Sequence, residues 1–365
     1  MDDNVNRCKR CILPESFPGL TFDESGICNK CRAYERRWSN FDFKKSEEYV
    51  RNIFEAAKSK NNKYDCVIGI SGGKDSSYAL YLCTQRYKLK PLCATFDNGF
   101  LSTEASENIR KLTTRLNVEH ISFKPDWELM KRLYRHFLLT AGELCSPCNI
   151  GIGSFLYDTA NKYSIPLIIS GFSPRTDAVD NNVYHITTEY FQNVAKGYFS
   201  KNEIKDFLHS KAFTRALYHL TGRIKYITLP LYVEWDEEEI ISVLERQIDW
   251  KVETPITTEH TDCIATKLKE YLRIKEFGFS EKTMKFSVLV RNRFMNREEA
   301  LAKAEAFESE IMEDKSGLVH KAIQMLDLSK EELAKAITKR QRPYIPKFAK
   351  FLERDTLMKK LYYKY

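Results

Sequence analysis

Residues 65–77 read Asp65-Cys66-Val67-Ile68-Gly69-Ile70-Ser71-Gly72-Gly73-Lys74-Asp75-Ser76-Ser77, and this segment determines which fold the chain can adopt. Its first six residues form an apolar run that predicts a buried strand, and the pattern over residues 76–87 predicts a helix. The two glycines let the backbone turn tightly, and N–H groups at a helix start can bind an anion. We name residues 71–77 the phosphate loop, because its lysine and its serine hydroxyls can also donate to phosphate oxygens. It is not a Walker A loop, since the G-x-x-x-x-G-K-[ST] pattern is absent.

Strand and helix patterns alternate on the C-terminal side of the phosphate loop. Further strands are predicted over residues 92–96, 120–123 and 166–170. Helices are predicted over residues 103–116, 126–139 and 148–163. Strands that alternate with helices form a parallel sheet with helices on both faces. The predicted fold class is therefore α/β, with a doubly wound parallel sheet.

Four of the ten cysteines form two C-x-x-C pairs near the N-terminus. The pairs are Cys8-x-x-Cys11 and Cys28-x-x-Cys31, and 16 residues separate them. This spacing is typical of a tetrahedral zinc site with four thiolate ligands. The surrounding segment has little apolar content, so we expect the metal to supply much of its folding free energy.

Three other cysteines form a second candidate set. Cys145 and Cys148 stand at the start of a predicted helix, and Cys263 is the only cysteine after residue 231. Three thiolates can hold a [4Fe–4S] cluster with one iron left open, or a zinc ion with His260 or another group as fourth ligand. A dithiol beside an unrelated core cysteine is the third alternative. The spacing leaves all three open.

These patterns divide the chain into four predicted parts. They are a zinc-ribbon segment over residues 1–45, the α/β domain over 46–230, a helical domain over 231–338 and a basic aromatic tail over 339–365. The tail has nine Lys and Arg against two acids, so it carries +7 of the net charge of +8. It could contact RNA or an acidic partner, or form a solvated helix face.

Composition excludes several classes of protein. The chain has 365 residues, of which 43% are hydrophobic and 30% charged, so it is neither disordered nor fibrous. It has no apolar run near the ~18 residues that a membrane span needs. The N-terminus has no apolar signal-peptide core. We expect a soluble, cytoplasmic protein that does not enter a membrane.

The Ser-Gly-Gly-x-Asp-Ser string of the phosphate loop resembles the PP-loop of the N-type ATP pyrophosphatases. In that superfamily the loop grips the pyrophosphate end of ATP, and cleavage falls between the α- and β-phosphates. The resemblance implies that residues 71–77 bind ATP and that Lys74 and Asp75 act in catalysis.

Two predicted strand ends add to this nucleotide site. The strand over residues 92–96 includes Thr95 and leads into Asp97, and Gly171 follows the strand over residues 166–170. Nucleotides bind at the carboxyl edge of open α/β sheets, so these three residues are candidate ATP contacts. Asp75 and Asp97 are candidate Mg²⁺ ligands, because a pyrophosphate leaving group needs its charge neutralised. An aspartate that only begins a helix or a turn is the alternative for each.

The order of motifs resembles one PP-loop family, the N-acetyl sugar amidotransferases of bacterial surface-polysaccharide and flagellin-glycan pathways. The motifs are Cys8-x-x-Cys11-Ile12-Leu13-Pro14, Phe17-Pro18-Gly19-Leu20-Thr21-Phe22-Asp23, Gly26-Ile27-Cys28-Asn29-x-Cys31, the phosphate loop, Cys145-x-x-Cys148-x-x-Gly151-Ile152 and Thr261-Asp262-Cys263. They cover most of the chain to about residue 310. The resemblance implies an ATP-dependent conversion of a sugar N-acetyl group into an acetamidino group, with release of AMP and pyrophosphate.

The resemblance also implies substrates and partners. The sugar would be nucleotide-linked or a free nonulosonic acid. The chain contains no recognisable glutaminase, so ammonia is expected from separate glutaminase and ammonia-channel subunits that resemble the histidine-biosynthesis pair. Cofactors would be ATP, Mg²⁺ and Zn²⁺, with a [4Fe–4S] cluster as a further candidate.

The sequence is also consistent with two other functions. A PP-loop, a zinc ribbon and a C-x-x-C pair with a later cysteine also resemble the cluster-dependent tRNA thiolases. The near-neutral first 338 residues argue against nucleic acid as a partner, because an RNA-binding surface is strongly positive. A non-enzymatic zinc-ribbon adaptor is the third hypothesis, and the intact phosphate loop argues against it.

Overall fold

A computed structural model describes residues 5–38, 41–172, 188–205, 218, 221–251 and 262–338. The basic tail and His260, for which the sequence makes predictions, lie outside the described residues. No helix of the described ranges is both long enough and apolar enough to cross a membrane.

Five strands and the helices around them follow one another along the described part of the chain. The strands are β1 Cys66–Gly69, β2 Pro91–Phe96, β3 Glu119–Phe123, β4 Leu167–Ser170 and β5 Lys225–Thr228. The helices before β5 are α1 Asn29–Trp38, α2 Phe43–Lys58, α3 Lys74–Tyr81, α4 Thr103–Arg115, α5 Trp127–Ala141, α6 Cys145–Lys162, α7 Thr188–Ala195 and α8 Lys201–Lys205. The helices after β5 are α9 Glu237–Ile248, α10 Ala265–Phe277, α11 Glu281–Arg291, α12 Arg297–Glu313, α13 Leu318–Met325 and α14 Lys330–Thr338.

The strands form one parallel sheet in the order β3-β2-β1-β4-β5. In β1, Val67 pairs with Leu92 of β2 on one side and with Ile168 of β4 on the other. The connections run through helices, as parallel strands require. The predicted α/β class with a parallel sheet is confirmed.

Helices cover both faces of this sheet. Ile68 of β1 packs with Phe54 of α2 and Leu80 of α3, in one apolar cluster. Its neighbour Val67 packs in a second cluster, with Tyr157 of α6. Successive strand residues point to opposite faces, so burial of both side chains means that both faces are covered.

The helix α9 belongs to the core of the sheet, whereas the sequence placed it in the helical domain. Its residues Ile240, Leu244 and Ile248 recur every four positions, and all three are buried in the cluster that contains Ile68. Trp235 and Trp250 flank the helix and join the same cluster. This apolar face lies on the sheet and orients the first turn of α9 towards the phosphate loop.

The helices after α9 form a separate layer that packs against α5 and α7. Leu268 of α10 and Leu326, which follows α13, share one apolar cluster with Phe137 of α5 and Phe191 of α7. Ser329 caps the N-terminus of α14, since Ser329 and Glu332 exchange two hydrogen bonds.

The strand β5 had no counterpart among the predicted strands. Lys225 and Tyr226 are exposed, and Ile227 is the only fully buried residue of this edge strand. A four-residue strand with one buried side chain gives no periodic signal.

Candidate nucleotide and metal sites

The two glycines of the phosphate loop have different structural roles. Gly72 has φ +81°, and a Cβ there would overlap the backbone carbonyl of Ala105, so only glycine fits. Gly73 has φ −73° and ψ 162°, which any residue can adopt. A Cβ on Gly73 would lie 3.4 Å from the Asp262 carboxylate, an ordinary contact distance. The backbone conformation and packing therefore require glycine at position 72, whereas Gly73 leaves space beside the phosphate loop.

The three serine hydroxyls of the phosphate loop also differ. Ser76 donates to the Gly73 carbonyl at 3.2 Å, and its Oγ lies 3.3 Å from Ser71 Oγ. Ser77 is fully buried, and its Oγ has no partner among the described residues. A buried hydroxyl without a partner costs about 1–3 kcal/mol. Such a donor at the start of α3 is compatible with a loop that binds an anion.

Lys74 and Asp75 form the charged part of the loop. Lys74 is 3% exposed, and its Nζ lies 2.7 Å from Asp75 Oδ2 and 4.0 Å from Glu237 Oε1. Asp75 Oδ1 accepts a hydrogen bond of 2.8 Å from Trp235 Nε1. Burial acts to raise the pKa of Asp75, but Lys74 and Lys285 outweigh it and leave that pKa below its usual value. Asp75 is therefore ionised at neutral pH and can serve as a metal ligand.

The other predicted ATP contacts lie at the same edge of the sheet. Gly171 follows β4, and a Cβ on it would overlap the carbonyl of Asp75, so β4 ends close to the start of α3. Thr95 is buried, and its hydroxyl donates to Ile70 O at 2.9 Å. Asp97 Oδ1 accepts from Gly99 N at 3.0 Å, which makes a local turn. Their contacts with a nucleotide remain predictions.

The structure adds Asp262 to this edge, a residue that the sequence analysis quoted in a motif but gave no role. Its backbone carbonyl accepts from Ser102 N at 3.0 Å, and Leu101 pairs with Cys263 in an antiparallel bridge. This short pairing fixes the Asp262 carboxylate beside Gly73. Asp262 is therefore a second carboxylate in reach of a metal ion bound at the loop.

The second cysteine set lies next to the phosphate loop. Asn98 Nδ2 lies 3.3 Å from Cys148 Sγ and 3.6 Å from Cys263 Sγ, so the amide joins two sulfurs that are 115 positions apart in the sequence. Cys145 and Cys148 occupy the first turn of α6. Asp262 lies beside Gly73, and Cys263 follows it directly in the sequence. Cys263 is therefore the member of this set that lies near the phosphate loop.

The N-terminal cysteines converge as their spacing predicts. All four sulfurs lie within 4.8 Å of one another, and all four residues are buried. Cys8 Sγ lies 3.9 Å from Cys31 Sγ, and Cys11 Sγ lies 3.8 Å from Cys28 Sγ. A tetrahedron with Zn–S bonds of about 2.3 Å has edges of about 3.8 Å. The spacing of the four sulfurs is therefore suited to a tetrahedral zinc ion.

A cationic side chain of α11 contacts this cysteine cluster. Arg291 donates to Cys31 Sγ at 3.4 Å and to Cys11 Sγ at 3.5 Å. Four thiolates around Zn²⁺ carry two excess negative charges, and the part-buried Arg291 guanidinium offsets one of them. Phe17 also stacks on Phe279, with ring centroids 5.6 Å apart. The N-terminal segment is thus attached to the helical layer through its metal site.

The described residues contain no second group of three ligand atoms as tightly spaced as the N-terminal cluster. Cys145, Cys148 and Cys263 are therefore more widely spaced than the ligands of a single zinc ion. The zinc, cluster and plain-thiol alternatives for the second cysteine set remain predictions.

Comparison with known families identifies the C-terminal part of the chain. Residues 254–359 match the family model described as LPS biosynthesis protein WbpG-like, C-terminal domain. We name residues 254–359 the WbpG-like domain, after the family model that they match. Over these residues, the match agrees with the predicted relationship to proteins of surface-polysaccharide biosynthesis. The WbpG-like domain includes α10 to α14 and extends through most of the basic tail, which the sequence motifs left outside the resemblance.

Individual proteins are similar over different shares of the chain. An uncharacterized protein of Methanocaldococcus jannaschii is 24% identical over 300 residues, which are 82% of this chain and 93% of the relative. The tRNA-specific 2-thiouridylase of Pediococcus pentosaceus is 26% identical over 179 residues, 45% of this chain and 46% of the relative. The structure of the U34-tRNA thiolase of Methanococcus maripaludis with its [4Fe–4S] cluster is similar at 17% identity and a TM-score of 0.37. The alignment covers 94% of this chain and 99% of the thiolase chain.

Proposed function

We propose that this chain is an ATP-dependent amidotransferase that converts a sugar N-acetyl group into an acetamidino group. The pathway would be the synthesis of lipopolysaccharide O-antigen or of a flagellin glycan. One observation carries the proposal: helices of the WbpG-like domain pack against α5 and α7 of the α/β domain, whose phosphate loop has the sequence Ser-Gly-Gly-Lys-Asp-Ser. The first feature supports the pathway and the second supports the use of ATP.

The chemistry follows from the low reactivity of an amide. Its oxygen attacks the α-phosphorus of ATP, the bond from that phosphorus to the bridging oxygen breaks, and pyrophosphate leaves. The product is an O-adenylyl imidate. Ammonia then adds to the imidate carbon and loses a proton, and AMP departs with the former carbonyl oxygen. Adenylation is needed because an amide oxygen is a poor leaving group and an adenylate is a good one.

The residues of the loop have distinct roles in this scheme. The backbone N–H groups around Gly73 and the Lys74 ammonium hold the pyrophosphate end of ATP. Mg²⁺, bound by Asp75 and Asp262, would offset the charge of the pyrophosphate as it leaves. Asp97 is the other ligand candidate, and its two oxygens lie 3.0 Å from Gly99 N and 3.4 Å from Lys124 Nζ.

The two cysteine sets have different proposed roles. The N-terminal four leave no open position on a zinc ion, so that metal is structural. Cys145, Cys148 and Cys263 are proposed as ligands of a [4Fe–4S] cluster, in which three thiolates leave one iron without a protein ligand. The position of this set beside Asp262 supports a role near the substrate rather than in folding.

Partners and location are part of the same proposal. Ammonia would come from a glutaminase subunit through an ammonia-channel subunit, both in the cytoplasm. The acetamido sugar would be nucleotide-linked or a nonulosonic acid. Both kinds of sugar carry negative charge.

A tRNA thiolase is the second candidate function. The similarity to a tRNA-specific 2-thiouridylase over 45% of the chain favours it, as does the convergence of Cys148 and Cys263 on Asn98. The adenylation step would be the same, with a base carbonyl in place of the amide and sulfide in place of ammonia. The WbpG-like domain favours the sugar.

The mass of the product separates the two functions. We expect a diacetamido sugar incubated with ATP, Mg²⁺, ammonium and this protein to exchange one carbonyl oxygen for an NH group, visible by mass spectrometry. Excess ammonium replaces the partner subunits, because free ammonia can diffuse to the adenylated intermediate. Unmodified tRNA with sulfide is the parallel reaction. Sulfur in tRNA, with every tested acetamido sugar unchanged, would refute the amidotransferase.

A further inference from the structure

Two buried tryptophans, one at each end of α9, donate hydrogen bonds to the phosphate loop. Trp235 precedes the helix, and its Nε1 lies 2.8 Å from Asp75 Oδ1. Trp250 follows the helix, and its Nε1 lies 2.9 Å from the backbone carbonyl oxygen of Gly72. Both side chains pack in the apolar cluster that contains Ile68, and they are 5% and 1% exposed. Packing uses only the apolar surface of each ring, so the two N–H contacts with the loop need a separate explanation.

Asn108 of α4 fixes the residue that follows Trp250. Its Nδ2 donates to the Lys251 carbonyl at 2.9 Å, and its Oδ1 accepts from Lys251 N at 3.2 Å. The same Nδ2 lies 3.4 Å from Gly72 O, and Asn108 is 4% exposed. The Gly72 carbonyl therefore faces two donors inside the protein, and contacts from both α4 and α9 hold Trp250 in position.

The hydrogen bond from Trp250 sets the direction of one peptide group of the phosphate loop. The peptide between Gly72 and Gly73 is trans, and the C=O and N–H groups of a trans peptide point in opposite directions. Because the Gly72 carbonyl points to Trp250 in the core, the Gly73 N–H points away from the core. Gly73 is the N-cap residue of α3, and backbone N–H groups at a helix N-terminus bind anions.

A peptide between two glycines needs such a constraint. Glycine adopts positive and negative φ about equally readily, so this peptide could rotate if nothing held it. Rotation would turn a carbonyl oxygen towards a bound phosphate, which repels it, and would remove one N–H donor. The hydrogen bond from Trp250 therefore favours the anion-binding orientation before the ligand arrives, and such preorganisation increases affinity.

We propose that Trp250 is a positioning residue of the nucleotide site. Its indole N–H holds the Gly72 carbonyl in the core and thereby directs the Gly73 N–H to the pyrophosphate end of ATP. The identity of this anion rests on the proposed function. Trp250 acts through the peptide group, without contact with the nucleotide, so α9 belongs to the ATP site as well as to the core.

Binding of ATP with Mg²⁺ to the full chain, measured by calorimetry well below the melting temperature, tests this. Trp250→Phe keeps an aromatic ring but loses the donor, so we expect about fivefold weaker binding, the effect of one hydrogen bond on the fraction of competent loop. A purely structural role would lower the melting temperature without changing the affinity of the folded protein. Trp38→Phe is the matched control, since Trp38 of α1 packs on Tyr34 and Phe41, and it should bind as the wild type does.

The indole signals of the wild type give a second readout by nuclear magnetic resonance. The chain has four tryptophans, so protein labelled with ¹⁵N-tryptophan shows four indole N–H signals. Single Trp→Phe variants at the other three positions assign the signal of Trp250 by elimination. When an anion accepts from the Gly73 N–H, the carbonyl oxygen of the same peptide becomes a stronger acceptor. We therefore expect ATP with Mg²⁺ to move the Trp250 signal downfield and to leave the Trp38 signal in place.

The outcomes separate this inference from the proposed function. If the wild type binds ATP while its Trp250 signal stays in place, or if folded Trp250→Phe binds ATP as tightly as the wild type, this inference is wrong and the proposed function stands. If the wild type binds no ATP, the proposed function itself is wrong.

Discussion

Replacing Gly73 with valine is expected to abolish nucleotide binding and turnover while the protein remains folded. The backbone at Gly73 is extended, and the nearest atom to an added Cβ lies 3.4 Å away, so the fold tolerates a side chain. Loss of glycine at this helix N-cap costs about 1 kcal/mol. A branched side chain would occupy the space where phosphate oxygens approach the loop N–H groups. Calorimetry with ATP and Mg²⁺, together with the melting temperature, measures both effects.

Gly72→Ala is the matched control at the neighbouring position. A non-glycine residue in the left-handed region costs about 1–2 kcal/mol, and overlap with the Ala105 carbonyl adds to that cost. We expect this variant to lose stability and activity together. If Gly73→Val binds ATP as tightly as the wild type, the phosphate loop is not the nucleotide site.

Replacing Cys28 with serine is expected to remove about one zinc ion per chain and to unfold the N-terminal segment. The same result is expected for Cys8→Ser. The loss of stability should extend beyond the N-terminal segment, because Arg291 and the stacked Phe17 and Phe279 connect this segment to the helical layer. Elemental analysis of the purified protein and its melting temperature are the measurements, with a chelator as a second route to metal loss.

Cys263→Ala is the control for this variant, since it removes a thiol from the second cysteine set. It should keep its zinc and lose iron from anaerobically prepared protein. Wild-type zinc content in Cys28→Ser would show that the N-terminal cluster is not the zinc site. Iron-free wild-type protein after anaerobic reconstitution would leave Cys145, Cys148 and Cys263 as plain thiols.

The features that the sequence predicted well are local ones. The phosphate loop could be found because the strand, the two glycines and the helix start are contiguous in residues 65–77. The four-cysteine cluster could be found because the ligand spacing within each C-x-x-C pair is set by the metal. The sheet could be predicted because strand patterns alternate with helix patterns along the chain. The exception is β5, whose single buried residue gives no periodic pattern.

The features that the sequence missed depend on tertiary contacts. Asp262 lies beside Gly73, almost 190 positions away in the sequence, because a two-residue bridge pairs Cys263 with Leu101. Glu237, on a helix that the sequence placed in another domain, lies 4.0 Å from Lys74 Nζ and 3.4 Å from Lys285 Nζ. Asp262 and Lys285 belong to no periodic sequence pattern that would distinguish them from the exposed charged residues around them.

The central claim is that an amide oxygen of the sugar is adenylated and then replaced, and the fate of that oxygen tests it most directly. An acetamido sugar labelled with ¹⁸O in its carbonyl groups would be incubated with ATP, Mg²⁺, ammonium and the protein. We expect one labelled oxygen in the phosphate of AMP and none in pyrophosphate. ADP as the sole nucleotide product, or AMP that carries no label while the sugar is converted, would contradict it.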